Sequence, residues 1–296
     1  MQGLITVFWK ELADDFTRWR FLILFALAFA VAIFAIYMDA QYIKEAISDP
    51  RFVFLKLYTT SGQALPLFIL FFVFFLPVIG MTLGFDAINT EKNSGTLSRL
   101  LSQSIYRDAV INGKFLAGSV TIGVMLTSVV LVVAGVGLRL LGIPPSAEEA
   151  IRLLVFLIMG VVYGSFWLGL AILFSILFQR VATSILASIA VWIFFIFMFG
   201  IPLFTQIGGR VGVFLMQISP ISLFYQSATV LLVPEARTIG QMFETGAGSN
   251  FALPSALSVG QSMLIVWPHI VTLIALTAIC FAISYIKFMR EEIRST

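Results

Sequence analysis

The chain has 296 residues, of which 60% are hydrophobic and 11% charged, and its mean hydropathy of +1.03 excludes an ordinary soluble domain. One cysteine and one histidine exclude an intrachain disulfide and a Cys/His metal cage. The 18 basic residues are scattered and give a net charge of only +3, so no nucleic-acid partner is expected. The composition therefore predicts an integral membrane protein.

Residues 1–20 precede the first apolar run and alternate apolar and polar side chains at helical spacing. Charged residues such as Lys10 and Asp14 fall between the apolar positions, and Trp9 and Trp19 suit the headgroup layer of a membrane. We expect an amphipathic helix in the membrane interface, and the alternative is a helix packed on a partner. The apolar positions are Leu4, Ile5, Phe8, Trp9, Leu12, Phe16 and Trp19.

Six apolar stretches are long enough to cross a bilayer as helices, so an all-α membrane fold is expected. An even number of spans places both termini on one side, and that side receives eleven of the 18 basic residues. By the positive-inside rule both termini are predicted to be cytoplasmic. The predicted spans are about 21–38, 64–85, 115–141, 151–178, 181–206 and 263–287, within a single transmembrane domain of residues 1–296.

Two outer segments are longer than plain connections. Residues 39–63 are predicted to hold two short helices that are split at Asp49-Pro50. Residues 207–262 contain the apolar run SPISLFYQSATVLLVP, from Ser219 to Pro234, which is too short to span a bilayer. This run is predicted to form a re-entrant or interfacial element.

Ionisable residues are absent from the middle of every predicted span, where ion-coupled carriers and voltage sensors usually keep them. The driving energy is therefore expected to come from elsewhere. No P-loop is present either: Gly113-Lys114 is followed by Phe115, and Asp108 stands where the first glycine is needed. The chain is not expected to hydrolyse ATP or to act as an enzyme. Small residues such as Gly160 and Gly164 are expected mainly to let helices approach closely.

The polar stretch 86–114 between the second and third spans carries apolar residues at spacings of three and four. After a Ser94-Gly95 break, residues 96–105 are predicted to form a short helix with an apolar stripe. Such a helix suits docking into another protein, and the alternative is that it lies against the bilayer or the protein's own helices. Lys114, where the third span begins, is expected to snorkel or to meet lipid phosphates. The stripe consists of Leu97, Leu100, Leu101 and Ile105.

The same stretch resembles permease subunits of the ABC-2 type, particularly their NosY-like branch, which share a six-helix fold with ABCG-like exporters. It is similar to that family's run E-K-x-x-G-T-L-x-x-L-L-S-x-P-I-x-R-x-x-x-x-G-K-F-L, with Ser104 where a proline is common. Trp9-Lys10-Glu11-Leu12 and Ile218-Ser219-Pro220 are also similar to the family. The matching residues are Asp86, Glu91, Lys92, Ser94 to Leu97, Leu100 to Ser102, Arg107 and Gly113 to Leu116.

The resemblance implies a division of labour in a prokaryotic cytoplasmic membrane. Two permease subunits, identical or homologous, would pair, and each would dock onto a subunit of a separate ATPase dimer that binds ATP and Mg. The chain itself would carry no cofactor. The turn at Phe178 to Arg180 would form a smaller second contact. The implied ATPase-coupling residues are Glu91, Lys92, Thr96, Leu97, Arg99, Leu100, Leu101, Ile105, Arg107, Gln179 and Arg180.

In such folds the second and fifth helices line the central path and the outer segment before the last helix closes it. The implied path residues are Phe71, Phe75, Thr82, Ser184, Ser188 and Phe195. The leading prediction is the membrane half of an exporter of a hydrophobic or amphipathic substrate. A first alternative is a subunit that passes ATP-driven motion to an extracytoplasmic partner without transport, and a second is a secondary carrier or channel.

Overall fold

The structure, a computed structural model, describes residues 2–46, 53–59, 67–97, 105–142, 144–200, 214–215, 217–233 and 257–290. Within these residues the chain is helical and contains no strand. The helices are α1 (Gln2–Thr17), α2 (Trp19–Ala46), α3 (Val53–Thr59), α4 (Leu67–Gly84), α5 (Asn89–Asn93), α6 (Arg107–Leu141), α7 (Ala147–Leu177), α8 (Val181–Gly200), α9 (Pro220–Leu232) and α10 (Val259–Arg290).

Five segments of the described chain are long and apolar enough to cross a membrane, and they contain α4, α6, α7, α8 and α10. A sixth span is obtained when α1 and α2 are counted as one pair, which is bent by 63°. Each of the six predicted spans coincides with one of these helices, α2 being the first. The prediction of a multi-pass, all-α membrane protein is therefore confirmed.

Several helices continue beyond the apolar stretches that revealed them. Helix α6 begins at Arg107, eight residues before the predicted span, and its 35 residues extend about 52 Å against a hydrocarbon core of about 30 Å. Helix α2 continues to Ala46. Helical hydrogen bonds need no apolar side chains, so hydropathy marks the membrane-crossing part and misses the extensions. Residues 201–206 of the predicted fifth span lie outside the described residues.

Helix α7 occupies the centre of the bundle and packs against α4, α6, α8, α9 and α10. Glycines permit its closest contacts. A Cβ on Gly80 of α4 would lie 2.6 Å from the Gly164 carbonyl oxygen, and one on Gly84 would lie 2.8 Å from the Leu168 carbonyl oxygen. On another side of α7, Gly160 accommodates Leu126 of α6. The expectation that Gly160 and Gly164 serve helix packing is confirmed.

The two outer segments contribute short helices to the core. Helix α3 lies within residues 39–63, and its Phe54, Leu55 and Tyr58 are buried. Helix α9 begins with Pro220 in its first turn and is buried along nearly its whole length, packed against α10, α7 and α4. The predicted short apolar element therefore exists, whereas the predicted helix break at Asp49-Pro50 lies outside the described residues.

Helix α1 lies alongside the first half of α6 and presents a partly acidic face to it. Val7, Glu11 and Asp15 are buried, whereas Ile5 and Trp9 are 53% and 63% exposed. The close approach depends on Gly113, where a Cβ would lie 2.8 Å from Val7 Cγ1. The acidic residues thus fill the helix–helix contact, and the aromatic side faces outward.

Candidate functional site

Helix α5 is fixed to the end of α7 by three hydrogen bonds. The backbone N–H groups of Ile88 and Asn89 donate to Ser175 Oγ at 3.0 and 3.1 Å. The side-chain amide of Asn93 donates to the Gln179 carbonyl oxygen at 2.9 Å. These bonds bring the predicted coupling segment and the predicted second contact, the 178–180 turn, next to one another.

Helix α5 ends in a tight turn that presents polar groups to the outside. Gly95 has φ +70°, a left-handed conformation that favours glycine, and the predicted Ser94-Gly95 break is thereby confirmed. The Ser94 and Thr96 hydroxyls donate to the Glu91 carbonyl oxygen at 3.3 and 3.2 Å and lie 2.9 Å apart. Residues 93–96 and 178–180 are exposed, and we refer to them together as the α5 surface.

A buried lysine joins three helices beneath the α5 surface. Lys114 Nζ lies 2.9 Å from Glu11 Oε1 of α1 and 2.9 Å from Glu91 Oε1 of α5, and its side chain is only 5% exposed. Lys10 Nζ adds a contact of 3.0 Å to Glu11 Oε1. The expectation that Lys114 snorkels toward lipid is therefore wrong, because two carboxylates compensate the ammonium inside the protein.

Charge compensation in this cluster shifts the pKa values of Glu11 and Lys10. Burial alone would raise the pKa of Glu11, but the ammonium groups of Lys114 and Lys10 outweigh it and hold the pKa below its usual range. Burial likewise opposes the charge of Lys10, whose pKa is nevertheless raised by Glu11 and its acidic neighbours. Both shifts favour the charged forms of Glu11 and Lys10, and the ion pairs of Lys114 join α1, α5 and α6 to one another.

Asp15 is the weakly compensated acid of the same contact. Its Oδ2 accepts a hydrogen bond of 3.3 Å from the Thr121 hydroxyl of α6. Burial raises its pKa to about 6, while Arg18 acts in the opposite direction. A second, more exposed pair lies nearby, in which Asp86 Oδ2 is 2.9 Å from Arg20 Nη1. Acidic groups at this end thus differ widely in how well they are paired.

The predicted coupling residues divide between the interior and the surface. Glu91 is committed to Lys114, and Leu97 is 1% exposed and belongs to the core, so neither points outward. Ile105 is half-buried and lies near Gly3, while Thr96, Gln179 and Arg180 are exposed. Lys92 and Arg107 are half-buried, and Arg107 begins α6. Arg99, Leu100 and Leu101 lie outside the described residues.

The predicted path residues are not gathered around one opening. In α4, the rings of Phe71 and Phe75 stack at 4.7 Å, and the Thr82 hydroxyl donates to the Val78 carbonyl oxygen at 2.7 Å. None of the six lines the apolar groove of about 530 Å³ on α6, which lies between Leu116 and Ser128.

Two of the three predicted path residues of α8 are buried in this subunit, and the third is half-buried and contacts α7. Ser184 and Ser188 are fully buried, and Phe195 meets the Trp167 ring edge-on at 6.1 Å. The exposed face of α8 instead carries large apolar side chains, namely Leu186, Ile193, Phe194 and Phe197.

The opposite end of the bundle holds a second buried polar centre that sequence reasoning missed. Arg152, fully buried in α7, donates to the Leu231 and Leu257 carbonyl oxygens at 3.2 and 2.6 Å. It also donates to the Ser262 hydroxyl at 3.0 Å and pairs with Glu148 at 3.0 Å. One guanidinium thus binds the end of α9 and the beginning of α10.

Glu149, a buried carboxylate in the first turn of α7, binds the start of α3. Its Oε1 accepts hydrogen bonds from the backbone N–H groups of Phe54 and Leu55 at 3.0 and 3.3 Å, at the start of that helix. Its Oε2 closes a capping box with Ser146. The spacing Ser146-x-x-Glu149 was the available signal, since it marks a helix start. No pattern in the sequence predicted that Arg152 would be buried.

Comparison with known proteins gives a consistent assignment. The family model for ABC-2 family transporter proteins matches residues 5–293. The chain is also 30% identical over 202 residues to the probable ABC transporter permease protein NosY of Pseudomonas aeruginosa, covering 67% of this chain and 68% of that protein. This family comprises the membrane subunits of ABC transporters, and not their ATPases. The apolar helices and these matches together establish that the chain belongs to the ABC-2 family of transporter permeases.

Proposed function

We propose that the chain is the membrane half of an ATP-driven exporter and that the α5 surface is where a separate ATPase subunit binds. The observation that carries the proposal is the Asn93–Gln179 hydrogen bond. It joins two exposed segments, which lie far apart in the sequence, into one surface. ATP and Mg would be bound by the ATPase dimer, with one ATPase subunit for each of two paired permeases. Export of a hydrophobic or amphipathic substrate is in keeping with the uncharged spans.

The contacts beneath the α5 surface explain how a push on it would reach the membrane. Lys114 links α5 to α1 and α6, and Ser175 links the turn before α5 to α7. Buried charge pairs are costly to break, so these helices would move together rather than separate. A displacement of α5 by ATPase closure would therefore be passed to α1, α4, α6 and α7.

This end of the bundle is proposed to be cytoplasmic, with both chain termini, because it carries the larger share of basic residues. The apolar face of α8 would then pack against the second permease subunit or lipid, and the path would lie near α4 and α8. Phe71, Phe75 and Phe195 are proposed to border it. Helix α9, which is apolar and too short to span, is proposed as the re-entrant element that closes it from outside.

A second candidate function has its own support. Glu149 and Arg152, three residues apart in α7, bind both outer segments through backbone groups of α3, α9 and α10. Movement of α7 would thus displace the two outer segments together. This arrangement suits a subunit that passes motion to an extracytoplasmic partner without transport. The ABC-2 family assignment favours either function over a secondary carrier or channel.

The decisive experiment for docking is affinity purification of the tagged chain from its native membrane in mild detergent. We expect an ATPase subunit to co-purify with the wild type. Arg180→Glu reverses a charge on the α5 surface and should reduce the ATPase yield about tenfold or more, since a repelled or missing charge pair at an interface costs at least about 1.4 kcal/mol. Leu100→Asp tests the apolar stripe in the same way.

The matched control is Arg139→Glu, which reverses an exposed arginine in the last turn of α6, at the far end of the bundle. It should leave the ATPase yield unchanged. A wild-type chain that arrives without any ATPase, or two arginine variants with equal losses, would rule out docking at the α5 surface. ATPase activity stimulated by a candidate substrate would favour export, and a bound outer partner without such stimulation would favour transmission.

A further inference from the structure

Pro77 leaves one carbonyl in the middle of α4 without its helical partner. Proline has no backbone N–H, so the Val73 carbonyl oxygen four residues earlier receives no hydrogen bond from within the helix. In a membrane such a carbonyl must find another donor, because water is absent. The Tyr163 hydroxyl of α7 supplies it, at 2.8 Å, and the tyrosine is fully buried.

The ring of the same tyrosine is bound to the short helix α9. Tyr163 and Phe224 stack with centroids 4.4 Å apart and their planes within 5°. Phe224 is also fully buried, and its ring centroid lies 6.0 Å from that of Phe156 in α7. One side chain therefore touches α4 through its oxygen and α9 through its ring.

The contact lies beside the tightest crossing in the bundle. Gly164, the residue after Tyr163, meets Gly80 of α4 so closely that no Cβ fits between them. Beyond this crossing, α4 leads through a short turn into α5. Helix α4 can therefore tilt about the glycine crossing more easily than it can separate from α7.

We propose that Tyr163 is a positioning residue of the transport cycle, which makes α9 follow the movement of α4. When α4 tilts, the hydroxyl must follow the Val73 carbonyl or leave it unpaired in an apolar interior, which disfavours that state about tenfold or more. Because the ring is stacked on Phe224, the tyrosine cannot follow without displacing α9. The inference rests on the proposed function, since it takes the ATPase as the source of the movement.

Hydrogen–deuterium exchange of the co-purified complex tests this, with and without ATP trapped by orthovanadate. In the wild type, residues 89–97 should be protected by the ATPase, and the exchange of residues 219–233 in α9 should change on trapping. Tyr163→Phe keeps the ring stack and loses the donor. The nucleotide-dependent change in α9 should then fall to about a tenth of that in the wild type or less.

Two further variants separate positioning from mere stability. In Pro77→Ala the new N–H can satisfy the Val73 carbonyl, so adding Tyr163→Phe to Pro77→Ala should have little further effect on α9. Tyr58→Phe removes another buried tyrosine hydroxyl, which donates to the Val130 carbonyl oxygen at 3.2 Å, and should leave the response of α9 intact.

The outcomes are distinguishable. Protection of residues 89–97 with an α9 that ignores nucleotide, or an unchanged response in Tyr163→Phe, would overturn the role of Tyr163 alone. The role would also be overturned if Tyr163→Phe reduced the response of α9 by the same amount when added to the wild type and when added to Pro77→Ala. Absence of protection at residues 89–97 would instead contradict the proposed docking. If Tyr163→Phe does not fold, the response of the double variant against Pro77→Ala decides.

Discussion

The two ends of the bundle both hold a buried cation, but they satisfy it with different partners. At the end that carries the α5 surface, Lys114 is bound by the side chains of Glu11 and Glu91. At the opposite end, Arg152 is bound mainly by the backbone carbonyls of Leu231 and Leu257. The first arrangement depends on the identity of all three side chains, whereas two of the four partners of Arg152 are backbone carbonyls and only Ser262 and Glu148 bind it through side chains.

This difference shows what each end can tolerate. A carbonyl remains when its residue is substituted, so the neighbours of Arg152 can change without removing its acceptors. A carboxylate does not remain, so each member of the Lys114 cluster needs the others. The end that holds Arg152 is therefore built to keep its geometry, and the end that holds Lys114 can be altered by the loss of any one of its three charged side chains.

Arg152→Met should give the largest effect, because it strips two buried carbonyls and a hydroxyl of their donor. We expect a loss of about 4 to 5 kcal/mol in the free energy of unfolding, seen as a marked drop in thermal stability in detergent. Leu257→Ala is the matched comparison and should cost about 1 kcal/mol or less, since Arg152 donates to the Leu257 carbonyl oxygen, which the alanine keeps. Similar losses in both would refute the distinction between backbone and side-chain partners.

Lys114→Met should come second, at about 3 kcal/mol, since it leaves Glu11 and Glu91 buried side by side. Adding Glu11→Gln and Glu91→Gln should recover part of the loss, because the two remaining charges disappear. Thermal unfolding of the single and triple variants measures this. A triple variant less stable than Lys114→Met would mean that the carboxylates find other partners without the lysine.

Asp15→Asn should give the smallest effect, and one that depends on pH. The folded-state pKa of about 6 lies above the ordinary value of 3.8, so folding favours the protonated form. The contribution of protonation to stability is complete below pH 3.8 and disappears as the pH rises through 6. The neutral amide should therefore stabilise the protein by about 1 to 3 kcal/mol at pH 8 and by little near pH 4.

The measurement is the thermal midpoint of wild type and variant across that pH range, with Asp14→Asn as the matched control. Asp14 is more exposed than Asp15, so Asp14→Asn should change the thermal midpoint little. A stabilisation by Asp15→Asn that is the same at pH 4 and pH 8 would contradict the buried, weakly compensated carboxyl.

Sequence reasoning succeeded where one local property decides the structure. Long apolar runs must form spanning helices, and a Ser-Gly pair such as Ser94-Gly95 favours the end of a helix. Both the spans and the end of α5 were therefore predictable. The family resemblance was visible in the residues around Gly95, and the short apolar run between Ser219 and Pro234 predicted the non-spanning element that forms α9. These features need no knowledge of which parts of the chain meet.

It failed where the partner lies far along the chain. Glu11 and Asp15 stand in a segment that was expected to lie in the membrane interface, and nothing near them in the sequence indicates that Lys114 and Thr121 lie opposite. Leu97 was expected to dock into another protein, because periodicity shows that a helix face is apolar but does not show which part of the structure packs on that face. The proline in α4 did signal a missing donor, yet only the packing of α7 identifies Tyr163 as the replacement.

The buried acids of α1 also set an order of events during synthesis. Asp15 is made 106 residues before Thr121, so at about 5 to 20 residues per second it waits roughly 5 to 20 s for its partner. Throughout that interval the carboxylates of α1 lack the α6 side chains that contact them in the folded protein. Helix α1 can therefore reach its final packing only after the first half of α6 has been made.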